Sequence, residues 1–173
     1  MVTSFNYAQD AIKGYKTSNL ASSEKNDCFV RAMAAATGSA YDTAHGFVKD
    51  NFARENGRGT ENIAIFCAMD KFEKNGMEIA GKKFDVEVLG TEKLTNTYKL
   101  YGEEVKRKKT LKSFIKSNPK GTFIVTVAKH AFTVKDGVLI DNVGEEFRPT
   151  RKVQGAYRLD KVGSSEAIQL SLF

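Results

Sequence analysis

The chain is poor in the residues that most often carry metals, disulfides and redox chemistry. Its 173 residues include two cysteines, two histidines, two prolines and no tryptophan. Two cysteines are too few for a disulfide scaffold or a cysteine-based zinc site, and the two histidines lie far apart in sequence. We therefore expect no metal and no cofactor, and we expect both thiols to be reduced.

Long hydrophobic runs are also missing. The longest uncharged apolar runs, such as residues 123–128, fall far short of the roughly 20 residues that a membrane helix needs. The N-terminal sequence MVTSFNYAQD lacks a basic stretch followed by an apolar core, so it does not resemble a signal peptide. We expect a cytoplasmic protein with no membrane partner. Its length and its ordinary composition predict a single globular domain over residues 1–173.

The positive charge is unevenly distributed. The net charge is +6, and residues 99–120 contain eight positive and two negative side chains, so this segment carries the whole excess. Its longest basic run is Lys106, Arg107, Lys108 and Lys109. We expect this run to be the solvated face of a short amphipathic helix. The alternative is a basic patch for nucleic acid or an acidic protein, near which Tyr98 and Tyr101 offer aromatic rings.

Hydrophobic periodicity predicts helices in the first half of the chain and strands in the second. A weak helix is expected within residues 5–15, and stronger ones over 28–37, 40–54 and 61–74, with N-caps at Asn26 or Asp27, Ser39 and Thr60. Strands are expected at 84–89, 121–128, 130–135, 138–142 and 156–162, with a short helix at 110–117. This order predicts the α+β class with an antiparallel sheet.

Cys28 is placed where a nucleophile could be activated. It opens the alanine-rich segment CFVRAMAAAT, which is apolar nearly all round and therefore predicted to be a buried helix. Free N–H groups and the helix dipole at a helix start favour a thiolate. A base must come from one of the two histidines, and His45 lies beside an apolar stripe, where a structural or surface role is expected. His130 remains as the candidate base.

A hairpin brings a carboxylate to His130. If Asp136-Gly137 is a two-residue turn, Phe132 lies opposite Asp141, and His130 shares their face of the ladder. Asp141 can then accept a hydrogen bond from one imidazole nitrogen and leave the other for the thiol. A register slip of one residue would replace Asp141 by Asn142.

These residues together resemble the papain-like cysteine peptidase superfamily. The resemblance rests on Asp27-Cys28-Phe29 at a helix start, followed far downstream by His130 on a strand and Asp141 after a hairpin. It includes small bacterial and phage members, for which the location would be the host cytoplasm or the virion. It implies a papain-like fold in which an N-terminal helical part, with the nucleophile helix, packs on a C-terminal antiparallel sheet.

The resemblance also implies roles for individual residues. Cys28 would be the nucleophile, His130 the general base and acid, and Asp141 the orienting residue of a Cys-His-Asp triad. The family's oxyanion hole combines the backbone N–H of the nucleophile, here Cys28, with an upstream polar side chain that is often Gln. This sequence has no Gln there, and Asn26 is the candidate because its amide can donate a hydrogen bond. The implied function is a peptidase-type or amidase-type cysteine hydrolase with a protein or peptide substrate.

Structural explanations compete with these roles. Cys28 could be a small packing residue of a buried helix, His130 a satisfied structural histidine, and Asp141 a hairpin-end residue without a catalytic part. Cys67 is expected in the core, and Arg31 is expected to form a buried ion pair rather than to contact an acidic substrate group. At the level of the whole protein, the alternative is a non-catalytic binding module that uses the basic 99–120 segment.

Overall fold

The chain forms a mixed structure of helices and strands. The computed structural model describes residues 4–142 and 148–163. The helices are α1 Ala8–Ala11, α2 Asn19–Ser23, α3 Cys28–Thr37, α4 Tyr41–Asn51, α5 Asn62–Asn75, α6 Thr91–Leu94 and α7 Leu111–Ser117. The strands are β1 Phe5–Tyr7, β2 Met77–Ile79, β3 Lys82–Val88, β4 Thr95–Leu100, β5 Glu103–Lys108, β6 Thr122–Val127, β7 His130–Lys135, β8 Val138–Asp141 and β9 Gly155–Lys161. This confirms the predicted α+β class. Among the helices of these ranges, none is long and apolar enough to cross a membrane.

Seven strands form one sheet in the order β1-β8-β7-β6-β9-β3-β2. Its neighbours are antiparallel except at one edge, where β1 runs parallel to β8. The predicted antiparallel sheet is therefore wrong at this edge. The cause is local: Phe5–Tyr7 pairs with β8 as a strand, although its spacing of apolar residues had predicted a helix.

Helix α3 begins and ends where the sequence predicts. Its seven buried residues face the sheet and α4, and it ends at Gly38 in the left-handed conformation, with φ of 67°. Thr133 of β7 donates a hydrogen bond from Oγ1 to the carbonyl of Ala32, at 2.6 Å. This bond ties the helix that starts with Cys28 to the strand that starts with His130.

In the neighbouring helices α4 and α5, the observed N-caps and the burial of Cys67 differ from the sequence prediction. The N-caps of α4 and α5 are Ala40 and Glu61 rather than Ser39 and Thr60, and neither makes a side-chain capping bond. Ser39 instead bonds the hydroxyl of Thr37. Cys67 is exposed, so the prediction of a core position is wrong. The buried stripe of α5 is Ile65, Ala68 and Met69, and this 3.6-residue period leaves Cys67 on the solvent side.

The basic run lies on a strand, so the prediction of an amphipathic helix face is wrong. Strands β4 and β5 form a separate two-stranded hairpin, and β5 contains Lys106, Arg107 and Lys108. The two-residue turn Tyr101-Gly102 has φ of 51° and 85°, as the tight turns that match strand twist require. Only the following residues, Leu111–Ser117, form the predicted helix, which Thr110 caps through its side chain.

Candidate active site

Cys28 is the first residue of α3 and is half-buried. As the first helical residue, it has a backbone N–H without an acceptor within the helix, and the helix dipole favours negative charge there. Burial is the largest single influence on the Cys28 thiol and raises its pKa, whereas hydrogen bonding to His130 and the positive charge of His130 lower it. The backbone of Ala131 and the charge of Arg31 add to this effect, so the net pKa lies below the ordinary 9.0.

His130 lies between this thiol and a buried carboxylate. Its Nε2 is 2.5 Å from Oδ2 of Asp141, which leaves Nδ1 as the ring nitrogen available to the thiol. Burial lowers the pKa of His130, but the hydrogen bonds to Asp141 and Cys28 and the negative charge on both raise it to about 9. The opposite shifts of Cys28 and His130 favour a thiolate beside an imidazolium, which is an activated nucleophile with a proton donor in place.

The hairpin register puts Asp141, rather than Asn142, against His130. Val138 pairs with Lys135 and Ile140 with Thr133, as a two-residue turn at Asp136-Gly137 predicts. The second carboxylate oxygen of Asp141 accepts the backbone N–H of Asn142 at 2.7 Å. The Asn142 side chain instead donates to the hydroxyl of Tyr15 at 2.9 Å.

Arg31 connects the two halves of this site. One turn after Cys28, its guanidinium bonds the carboxylate of Asp27, and its Nη2 lies 3.6 Å from Oδ1 of Asp141. Asp27 also accepts a hydrogen bond from the hydroxyl of Tyr41 at 2.7 Å, so it serves as an ion-pair partner and makes no capping bond. The sequence predicts a buried ion pair for Arg31, but its contact with Asp141 was missed because no local signal joins residues 110 positions apart.

A cleft of about 590 Å³ opens over these residues. Cys28, Arg31 and His130 line it together with Asn26 and Lys129. Asn26 and Lys129 are both in the left-handed conformation, with φ of 59° each, and they closely precede Cys28 and His130 in the chain. At Lys129 this conformation belongs to the two-residue turn between β6 and β7, and asparagine tolerates it well. The structure thus brings Asn26, the predicted oxyanion-hole side chain, into the same cleft as Cys28.

The segment from Gly59 to Asn62 also lines the cleft, although the sequence predicted only a turn and a helix start there. A buried cluster beside it holds the preceding loop: Glu24 accepts hydrogen bonds from Arg54 at 2.6 Å and from the backbone N–H of Gly57 at 3.1 Å. His45 Nε2 lies 2.8 Å from the other Glu24 oxygen. Burial raises the pKa of Glu24, but the bonds from Arg54, His45 and Gly57 lower it to about 2. His45 therefore belongs to this cluster, and His130 is the histidine beside Cys28.

Within residues 4–142 and 148–163, no group of three or more His, Cys, Asp or Glu side chains is arranged to hold a metal ion. Comparisons with protein-family models, with curated proteins and with solved structures each returned no significant match.

Proposed function

We propose that this protein is a cysteine hydrolase that cleaves an amide or related acyl bond in a protein or peptide, with a papain-like arrangement of its site. The observation that carries the proposal is the chain of contacts from Cys28 through His130 to Asp141 at the N-terminus of α3. A buried cysteine that served only in packing would need neither a charged imidazole nor a carboxylate behind it.

The chemistry follows from these positions. The Cys28 thiolate attacks the carbonyl carbon, and the backbone N–H of Cys28 with the amide of Asn26 stabilises the resulting oxyanion. His130 then gives its proton to the leaving amine, which departs and leaves a thioester. His130 next takes a proton from water, which attacks the thioester and releases the acid and the Cys28 thiolate, so that the proton stays on His130 and the starting pair is restored. Asp141 holds the imidazole orientation throughout.

The test is labelling and turnover in matched variants. A thiol-reactive electrophile such as iodoacetamide, at limiting concentration, should modify Cys28 faster than the exposed Cys67, as measured by peptide mass spectrometry. Cys28→Ala should abolish turnover of peptide or amide substrates while leaving the melting temperature close to that of the wild type. Cys67→Ser is the control and should retain activity. Labelling at Cys67 alone, or turnover by Cys28→Ala, would contradict the proposal.

The second candidate function is a non-catalytic binding module, and the exposed basic hairpin favours it. Lys106, Arg107 and Lys108 are all exposed on β5, and Lys109 follows directly. This function predicts binding of nucleic acid or of an acidic protein that weakens steeply with salt and is unchanged by Cys28→Ala. Fluorescence anisotropy against a salt series measures both properties, and salt-independent binding would count against it.

A further inference from the structure

Two grooves continue the cleft along the surface. The first, here called the apolar groove, has a volume of about 480 Å³ and is lined by Ile63, Phe66, Leu89 and Tyr157, among others. The second, the basic groove, has a volume of about 400 Å³ and lies between the β4–β5 hairpin and α7. Asn62 borders both the cleft and the apolar groove, and Lys108 borders both the apolar and the basic groove. The three depressions therefore follow one another.

Exposed hydrophobic side chains are concentrated along these grooves. Eight large hydrophobic side chains are exposed in the described part of the chain: Tyr7, Leu20, Ile63, Phe66, Tyr98, Leu100, Tyr101 and Val162. Two of them line the apolar groove, two line the basic groove, and Tyr101 forms the hairpin tip. Ile63 is 69% exposed and lies on α5 outside the buried stripe of that helix. Such clustering marks a surface that binds a partner.

The basic groove has charge of one sign. Four cations line it, namely Lys99, Arg107, Lys108 and Lys152, and none of the described residues that line it is acidic. Its wall is also tied to α7, because the amide of Asn96 donates hydrogen bonds to Ser113 of α7 at 3.0 Å and to the hydroxyl of Tyr98 at 3.1 Å. A groove lined by cations complements an anionic partner.

We propose that the three depressions form one binding track for an acidic polypeptide, which places apolar side chains in the apolar groove and carboxylates in the basic groove. This inference rests on the proposed hydrolase function, since it names the substrate class that the cleft would take. A polypeptide fits better than a nucleic acid because Ile63, Phe66 and Leu89 lie between the cleft and most of the cations. Lys108 is the one cation among the described residues that line the apolar groove, so most phosphates of a nucleic acid crossing it would have no cation beside them.

Binding is tested with the Cys28→Ala variant of the 173-residue chain and three fluorescein-labelled peptides of equal length. The first joins a Leu/Phe block to an Asp/Glu block, the second replaces the acids by Asn and Gln, and the third replaces the apolar residues by Ser. Each is made in both block orders. We expect the first peptide, in one order, to bind more tightly than the second and the third.

Two added charge reversals give a matched pair of proteins. Arg107→Glu with Lys108→Glu should weaken binding of the first peptide about tenfold at low salt, as the reversal of two exposed charges implies. Lys13→Glu with Lys49→Glu lowers the net charge by the same amount at exposed positions that line neither groove, and it should change the affinity less than twofold. Phe66→Ser should weaken binding, whereas Leu20→Ser, on α2, should not. Circular dichroism confirms that each variant is folded.

The outcomes separate this inference from the proposed hydrolase function. Equal losses in both charge-reversed pairs, or equal affinity for all three peptides, overturn the track. A single-stranded oligonucleotide that binds through Arg107 and Lys108, while the acidic peptide does not bind, also overturns it and assigns the basic groove to nucleic acid. Tight peptide binding without cleavage by the wild-type chain supports the track as a polypeptide site but refutes the hydrolase. If Arg107→Glu with Lys108→Glu leaves the rate of peptide cleavage unchanged, the track is refuted and the proposed hydrolase function still stands.

Discussion

Replacing Asp141 by Asn should uncouple the thiol from its imidazole. The variant keeps the size of the side chain and removes the negative charge that faces Nε2 of His130 at 2.5 Å. His130 has a pKa of about 9 against an ordinary value of 6.5, a difference worth about 3 kcal/mol at about 1.36 kcal/mol per pKa unit. Its side chain is 15% exposed, so solvent screens little of this energy. Asp141 and Cys28 share the effect, and the hydrogen bond to the Asp141 carboxylate is the largest cause that raises the pKa of His130.

The consequence for Cys28 can be measured directly. A neutral His130 no longer favours the thiolate, so the pKa of Cys28 should rise toward 9.0. On the acidic side of its titration, alkylation by iodoacetamide should slow about tenfold for each pKa unit of that rise. The rates are measured from pH 4 to 10 in a Cys67→Ser background, because Cys67 is exposed. A parallel NMR titration of the histidines should show the pKa of His130 falling from about 9 in the wild type toward 6.5 in Asp141→Asn.

Asp136→Asn is the matched control for this experiment. Asp136 lies in the turn of the same hairpin, and its carboxylate accepts the backbone N–H of Gly121 at 2.9 Å. The control should leave the alkylation profile and the His130 titration unchanged. If Asp141→Asn also leaves both unchanged, the carboxylate does not hold the charge on His130, and the reasoning from this contact is refuted.

Three further predictions concern the scaffold of the site. Thr133→Val removes the bond to the Ala32 carbonyl and should lower the free energy of unfolding by about 1 kcal/mol in urea titrations, with slower alkylation of Cys28. Gly38→Ala should cost about 1 kcal/mol in the same titrations because its φ is 67°, whereas Gly46→Ala, inside α4 with open space around the added Cβ, should stabilise by up to about 1 kcal/mol. Glu24 has a folded pKa of about 2 and an ordinary value of 4.5, so its contribution to stability is present above pH 4.5 and is lost as the pH falls through about 2. Thermal melts between pH 2 and 6 should show this loss in the wild type and a smaller one in Glu24→Gln.

Local patterns predicted the parts of the site that are near in sequence. The start of α3 at Cys28 follows from the change from polar to apolar residues, and its end follows from Gly38. The pairing of β7 with β8 follows from the Asp136-Gly137 turn, because turn length sets the register of a hairpin. Both depend on interactions between residues close in sequence, and the structure confirms both predictions.

The wrong predictions arose where a local pattern had two physical solutions. The run from Lys106 to Lys109 is compatible with a helix or with an exposed strand, and pairing with β4 decided for the strand. The residues around Cys67 in α5 are nearly all apolar, so their pattern does not show which face of the helix is buried. Residues 5–7 form a strand because they pair with the edge strand β8. A local sequence pattern cannot show a pairing between residues so far apart in the chain.

The sequence by itself therefore determined the helix that presents Cys28 and the hairpin that carries His130 and Asp141, since both depend on contacts between residues close in the chain. The tertiary structure alone decided that the helix start and the hairpin meet. Arg31 bridges Asp27 and Asp141, Thr133 bonds Ala32 across 101 positions, and the charge on His130 depends on both partners at once. The physical reason is that the thiol and imidazole change each other's pKa only over a few ångströms, and only packing α3 on β7 makes that distance short.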